Sequence, residues 1–118
     1  MSKITGKVFI RMDGELLESM PDAELELGGD EAEVVAGSNK IVGYREKVVP
    51  AMLTCKFVWK AGAPIEKVRN LREGIVQFES DVGETYQIAN AVCAKTPKIS
   101  VPDGTIDVEF QGNKAEPV

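Results

Sequence analysis

The chain has 118 residues, 43% of them hydrophobic and 28% charged, a size and balance that fit one soluble domain with a single core. Fourteen Lys and Arg against nineteen Asp and Glu leave a net charge of −5. Histidine is absent, which removes the commonest general base, the commonest metal ligand and the usual partner of a nucleophilic serine or cysteine. Nine carboxylates fall between Asp13 and Glu33 with no Lys or Arg among them, a surface that repels nucleic acid. No apolar run approaches the ~18 residues of a membrane span. The opening MSKITGKVFIRMDG has no apolar signal core, so the expectation is a chain made and kept in the cytoplasm.

In chain order, residues 1–5 form a polar arm, and Gly6 to Met12 read as a strand with Val8, Ile10 and Met12 on one side. Asp13-Gly14 is a hairpin turn, with Glu15 to Met20 as the returning strand. Asp22 to Leu27 alternates: Ala23, Leu25 and Leu27 inward, Asp22, Glu24 and Glu26 outward. Gly28 to Gly43 then breaks the rhythm. If Ala23–Leu27 pairs with Tyr44–Val49, residues 28–43 are a long projecting loop, either a floppy surface loop or an arm whose Val34 and Val35 pack on something outside the core.

The organising stretch is Ile41 to Trp59, two β-rich runs meeting at Pro50. Within it Leu53, Cys55, Phe57 and Trp59 keep strict period two, as in a strand entering the core. Pro64 to Glu73 is the one helix: Pro at its first turn, Arg69 and Arg72 near its end, Gly74 at the stop, and Ile65, Val68 and Leu71 as its apolar stripe. Gly74–Ser80 and Glu84–Cys93 follow as strands around a tight turn, with Tyr86, Ile88 and Val92 opposing Gln87, Ala89 and Ala91. Pro97 and Pro102 mark an edge or loop, Thr105 to Gln111 is the last strand, and residues 113–118 read as a loose tail. Seven or eight short strands and one helix imply a mainly β domain spanning 1–118, an antiparallel sandwich or partial barrel.

No enzyme template survives. There is no phosphate loop, and Ser2, Ser19, Ser38, Ser80 and Ser100 have no histidine to activate them. Asp30, Glu31 and Glu33 are acidic enough to ligate calcium, but they lack the spacing of a calcium loop. Cys55 and Cys93 read as buried, reduced thiols. No cofactor, metal or catalytic residue is expected.

The order of parts resembles the tail tube proteins of Mu-like contractile-tailed phages and related prophages. The resemblance rests on TGKVFIRMDG (Thr5–Gly14), GYREKVVP (Gly43–Pro50), Gly-Glu-Thr-Tyr (Gly83–Tyr86) and GTIDVEFQGNKAEP (Gly104–Pro117), in that order across nearly the whole chain. It implies a structural protein whose copies form hexameric rings that stack into a hollow tube inside a contractile sheath. A tape-measure protein sets the length, a baseplate initiates assembly, and DNA passes through without specific binding. The subunit would be assembled in the host cytoplasm and end in the virion, with no membrane involved. On that reading Glu24 and Glu26, then Gln77, Glu79 and Gln87, are lumen candidates. Asp30, Glu31, Glu33, Val34, Val35, Ser38 and Asn39 are ring-stacking candidates. Two alternatives stay open: a tube subunit of a phage-tail-like bacteriocin or type VI-like injection machine, and a monomeric β-barrel for a small ligand. The last would want clustered exposed aromatics, whereas most of Trp59, Tyr44, Tyr86 and the four Phe fall on faces assigned to the core.

Overall fold

A computed structural model describes residues 1–118, which form eleven strands and one short helix. Strand β1 (Val8–Met12) turns through Asp13 and Gly14, both at positive φ (51° and 85°), into β2 (Glu15–Leu17). The chain then crosses to β6 (Ala51–Val58). Glu18 C=O accepts from Val58 N–H at 3.0 Å, Met20 N–H donates to Lys56 C=O at 2.7 Å, and Ser19 bridges Phe57. Strand β3 (Glu24–Glu26) continues along the same edge of β6, placing Leu25 opposite Leu53.

The remaining strands are β7 (Gly74–Ser80), β8 (Thr85–Cys93), β9 (Lys98–Ser100), β10 (Thr105–Gly112) and β11 (Glu116–Pro117). The antiparallel order is β2-β1-β7-β8-β10-β6-β3, with β9 on β10 and β11 on β8. Because Glu18–Met20 carries the β2 end of this array back onto β6, the sheet closes as a partial barrel. The fold class matches the sequence expectation: mainly β, antiparallel, one helix.

Ile10, Met12, Leu53, Cys55, Phe57, Ile88, Ile106, Val108 and Phe110 are buried, as their alternation implied, and Leu17 and Val76, which the sequence reading did not place, join them. Helix α1 (Ile65–Arg69) is shorter than expected, yet Val68 and the following Leu71 are buried, so the segment caps one end of the barrel. Leu71 C=O accepts from Cys93 N–H at 3.2 Å and ties that cap to β8.

Four smaller features depart from the sequence reading, and one large one. Trp59 lies just past the end of β6 and is 42% exposed, because period two holds only while the strand lasts. Leu27, expected inward, is 45% exposed beyond the end of β3; its carbonyl accepts from Ala115 N–H at 2.8 Å. In β8 the buried residues are Ile88 and Ala91, three apart. Asn90 at φ 52° makes a bulge there, Val76 pairing with Ile88 and Gly74 with Ala91, so the face flips and Val92 turns away. The tail is tied down: Ala115 is buried, and Glu116–Pro117 pairs with Gln87 and Tyr86.

The largest departure concerns residues 28–43. They are not a structureless loop, and Tyr44–Val49 does not pair with Ala23–Leu27. Strand β4 (Gly29–Ala36) pairs instead with β5 (Ile41–Val49), forming a separate two-stranded sheet. Local closure of an antiparallel hairpin competes with the longer-range pairing, and β3 is satisfied by β6. The ribbon projects far enough to raise the radius of gyration to 17.1 Å, against about 13–14 Å for a compact chain of this length, with a longest extent of 61 Å.

Candidate assembly surfaces

The arm is built by cross-strand pairing, and directly opposite residues share a face. One face carries Glu31 opposite Lys47, Glu33 opposite Arg45, and Val35 opposite Gly43. Its charges neutralise each other, with Arg45 Nε 3.3 Å from Glu33 Oε2. The other face carries Asp30 opposite Val48, Ala32 opposite Glu46, and Val34 opposite Tyr44. Val34, Tyr44 and Val48 are 60%, 69% and 82% exposed, and no part of the chain's own core covers them.

The stacking candidates therefore divide. Val34 and Asp30 lie on the apolar face, Glu31, Glu33 and Val35 on the charged one, and Ser38 and Asn39 in the tip turn closed by Gly37 N–H donating to Lys40 C=O at 2.8 Å. Since Asp30 points opposite to Glu31 and Glu33, the three do not converge as a cation site. No group of three or more His, Cys, Asp or Glu in the chain could hold a metal ion. Tyr44 and Val48 were not singled out from the sequence. Their signal was there: Tyr44, Glu46 and Val48 alternate with Arg45 and Lys47, whose charges match Glu33 and Glu31.

The lumen candidates sit on two sheet halves. Glu24 and Glu26 face outward from β3, in rows that run Glu24–Thr54–Glu109 and Glu26–Met52–Gln111. Both are exposed and neither is in an ion pair, whereas their neighbours Asp22 and Glu109 are met by Lys56 (3.9 Å) and Lys95 (3.7 Å). Gln77, Glu79 and Gln87 face outward from β7 and β8. Gln77 Nε2 donates to Gln87 Oε1 at 3.2 Å, and Glu79 Oε1 accepts from Arg11 Nε at 3.0 Å. Half-exposed Phe9, Leu16 and Ile75 surround that second patch.

The exposed aromatics Phe9, Tyr44 and Trp59 stand on β1, the arm and the segment after β6, three separate elements, so most but not all aromatics face the core. At the N-terminus, Gly6 N–H and Lys3 hold Asp81 at 3.3 and 3.5 Å. Desolvation is the largest single influence on the Asp81 carboxyl and raises its pKa, but the Gly6 N–H, the Lys3 charge and hydrogen bond and the Lys7 backbone together outweigh it and leave the pKa lowered. No helix is long and apolar enough to cross a membrane.

Comparison with known proteins agrees with this architecture. Residues 1–117 match the family model described as phage tail tube protein. The Mu-like prophage FluMu tail tube protein of Haemophilus influenzae is 32% identical over 109 residues, covering 92% of this chain and 91% of its own. The tail tube protein of Escherichia phage Mu is 34% identical over 93 residues, covering 79% and 78%. The fold is similar to a chain of an extracellular contractile injection system, the PVC sheath–tube complex in its extended state, with a TM-score of 0.65 at 7% identity over 96% of this chain and 88% of that one. The relatives are structural proteins of tails, not enzymes. A family match across almost the full chain, with two relatives above 30% identity, establishes that this chain belongs to the phage tail tube protein family.

Proposed function

We propose that this chain is the ring-forming subunit of a contractile phage tail tube. Hexameric rings stack through the arm into a hollow tube whose lumen passes DNA without gripping it. The observation that carries this reading is the arm: a ribbon with one neutralised face and one on which the exposed apolar side chains Val34, Tyr44 and Val48 stand beside Asp30 and Glu46, covered by nothing in its own chain. An apolar strip of that kind on a soluble subunit requires a partner, and a second copy supplies one at every ring.

For the lumen, the Glu24–Glu26 face is favoured over the Gln77–Glu79–Gln87 face. Glu24 and Glu26 are unpaired carboxylates that repel phosphates, whereas the one carboxylate of the second patch, Glu79, is neutralised by Arg11 among half-exposed apolar side chains. The Gln77 patch then belongs to subunit or sheath contacts. Tape-measure and baseplate partners follow from the same role, as does assembly in the host cytoplasm. A tube subunit of a phage-tail-like bacteriocin or injection machine needs the same surfaces, and the likeness of fold to an injection-system chain admits it. The phage Mu relative favours a genome as cargo.

The test is negative-stain electron microscopy of the purified protein over a range of concentrations. Hollow tubes or rings of uniform width are expected. Compact monomers at every concentration, even with a baseplate initiator added, would overturn the proposal.

A further inference from the structure

The last six residues touch two places that assembly would need free. Asn113 N–H donates to Ala89 C=O at 3.0 Å, and Ala115 N–H to Leu27 C=O at 2.8 Å, at the root of the arm. The Lys114 stem lies over buried Gly29, 3.1 Å from where a Cβ on that glycine would sit. Glu116 and Pro117 then pair with Gln87 and Tyr86, and Val118 N–H donates to Thr85 C=O at 2.9 Å. One short segment thus covers an open edge of β8 and clamps the base of the arm.

The edge contact is built to be given up, and lifting the tail uncovers only one small buried side chain, Ala115. Strand β11 has two residues, both exposed, and Pro117 has no N–H to offer the ladder. A longer strand from another molecule would make more hydrogen bonds along the same edge. At the arm root Gly28 and Gly29 hold φ of 71° and 105°, so two consecutive residues there sit in glycine-favoured conformations, and Pro50 marks the other strand's exit.

We infer that residues 113–118 are a latch. In the free subunit the tail occupies the Thr85–Gln87 edge and fixes the arm. During assembly it lifts, exposing the edge to a strand of a second copy and letting the arm swing about Gly28–Gly29. This inference rests on the tube reading above for its purpose, but not for its mechanics.

A reversible lock tests it. In a Cys93→Ser background, Gln87→Cys with Glu116→Cys places two thiols at directly opposed positions, close enough to bridge. The oxidised variant is expected to give at least tenfold fewer tubes than wild type, and reduction to restore them. Deleting Lys114–Val118, which removes both the β8 pairing and the arm-root contacts, is expected to speed assembly and to speed amide hydrogen exchange at least tenfold at Gly29–Glu31 and Val48–Ala51 in the monomer. Equal assembly of the oxidised and reduced forms, or unchanged exchange in the trimmed monomer, would overturn the latch. The exchange readout needs no tubes, so a chain that never polymerised would defeat the tube reading while leaving the latch decided on its own.

Discussion

Cys55 shows how burial dominates the chemistry of a residue. Desolvation pushes its thiol up to about 12, with the nearby carboxylates Asp107 and Asp22 adding to the shift. Burial also raises Cys93, although less of that side chain is covered and Arg72 opposes the shift. Cys55 is therefore an inert core residue, and a thiol reagent at pH 8 should label Cys93 first and Cys55 only on unfolding. The shift has a consequence for stability. Between pH 9 and 12 the unfolded chain releases this proton and the folded chain keeps it, so stability falls as pH rises. At pH 10 the loss should be about 1.4 kcal/mol relative to pH 8, and Cys55→Ala should remove that increment in paired urea titrations. Gly28 makes a second residue-scale case. Its φ is 71°, and a Cβ would lie 2.5 Å from Ala51 N and 2.7 Å from the Pro50 carbonyl carbon, backbone that cannot move aside. Gly28→Ala should cost about 1–3 kcal/mol in thermal or urea unfolding. Gly14→Ala, with φ of 85° but open space, should cost less.

At the scale of the element, the arm matters most, and its two faces make opposite predictions. Tyr44→Ser with Val48→Ser removes exposed apolar surface and should change monomer stability by no more than about 1 kcal/mol. The same pair should abolish tube formation, seen by electron microscopy and sedimentation. Glu33→Gln with Arg45→Gln alters the neutralised face and should leave tubes intact, since an exposed ion pair contributes at most about 1 kcal/mol. If both pairs behaved alike, the assignment of faces would be wrong. Replacing residues 30–48 by a short turn should give a folded subunit that does not polymerise; both strands must go, because deleting 30–38 alone would orphan β5. Much of this element was legible in the sequence, as an exposed segment with valines that had no core to join. Its strand character was not, because the register of β4 on β5 depends on a pairing choice that alternation alone cannot make.

At the scale of the molecule, the chain divides its labour among a closed core, a projecting ribbon and outward faces of different charge. Glu24→Lys with Glu26→Lys leaves the core untouched, since both residues are exposed on β3. Tubes of unchanged width are expected, with infectivity down at least tenfold because cationic side chains would hold the passing phosphates. Normal infectivity would move the lumen to another face. The core is less tolerant: Phe110→Ala, at a fully buried site, should cost about 3–5 kcal/mol and bring the domain close to unfolding.

The sequence by itself determined the fold class, the core faces of β1, β6 and β10, the apolar stripe that buries Val68 and Leu71, and the absence of a histidine-based site. All of these follow from local periodicity and residue chemistry, which no tertiary contact has to supply. The resemblance to tail tube proteins was legible too, because it lies in the order of turn motifs along the chain. Only the tertiary structure decided the rest. The bulge at Asn90 flips a face without changing composition, and the strand ends at Val58 and Glu26 leave Trp59 and Leu27 outside. The tail is held by β8 and the arm root, and β4 is paired with β5 and not with the barrel. Each of these depends on which strand pairings, local or distant, close their backbone hydrogen bonds together around one core, and alternation alone does not specify that.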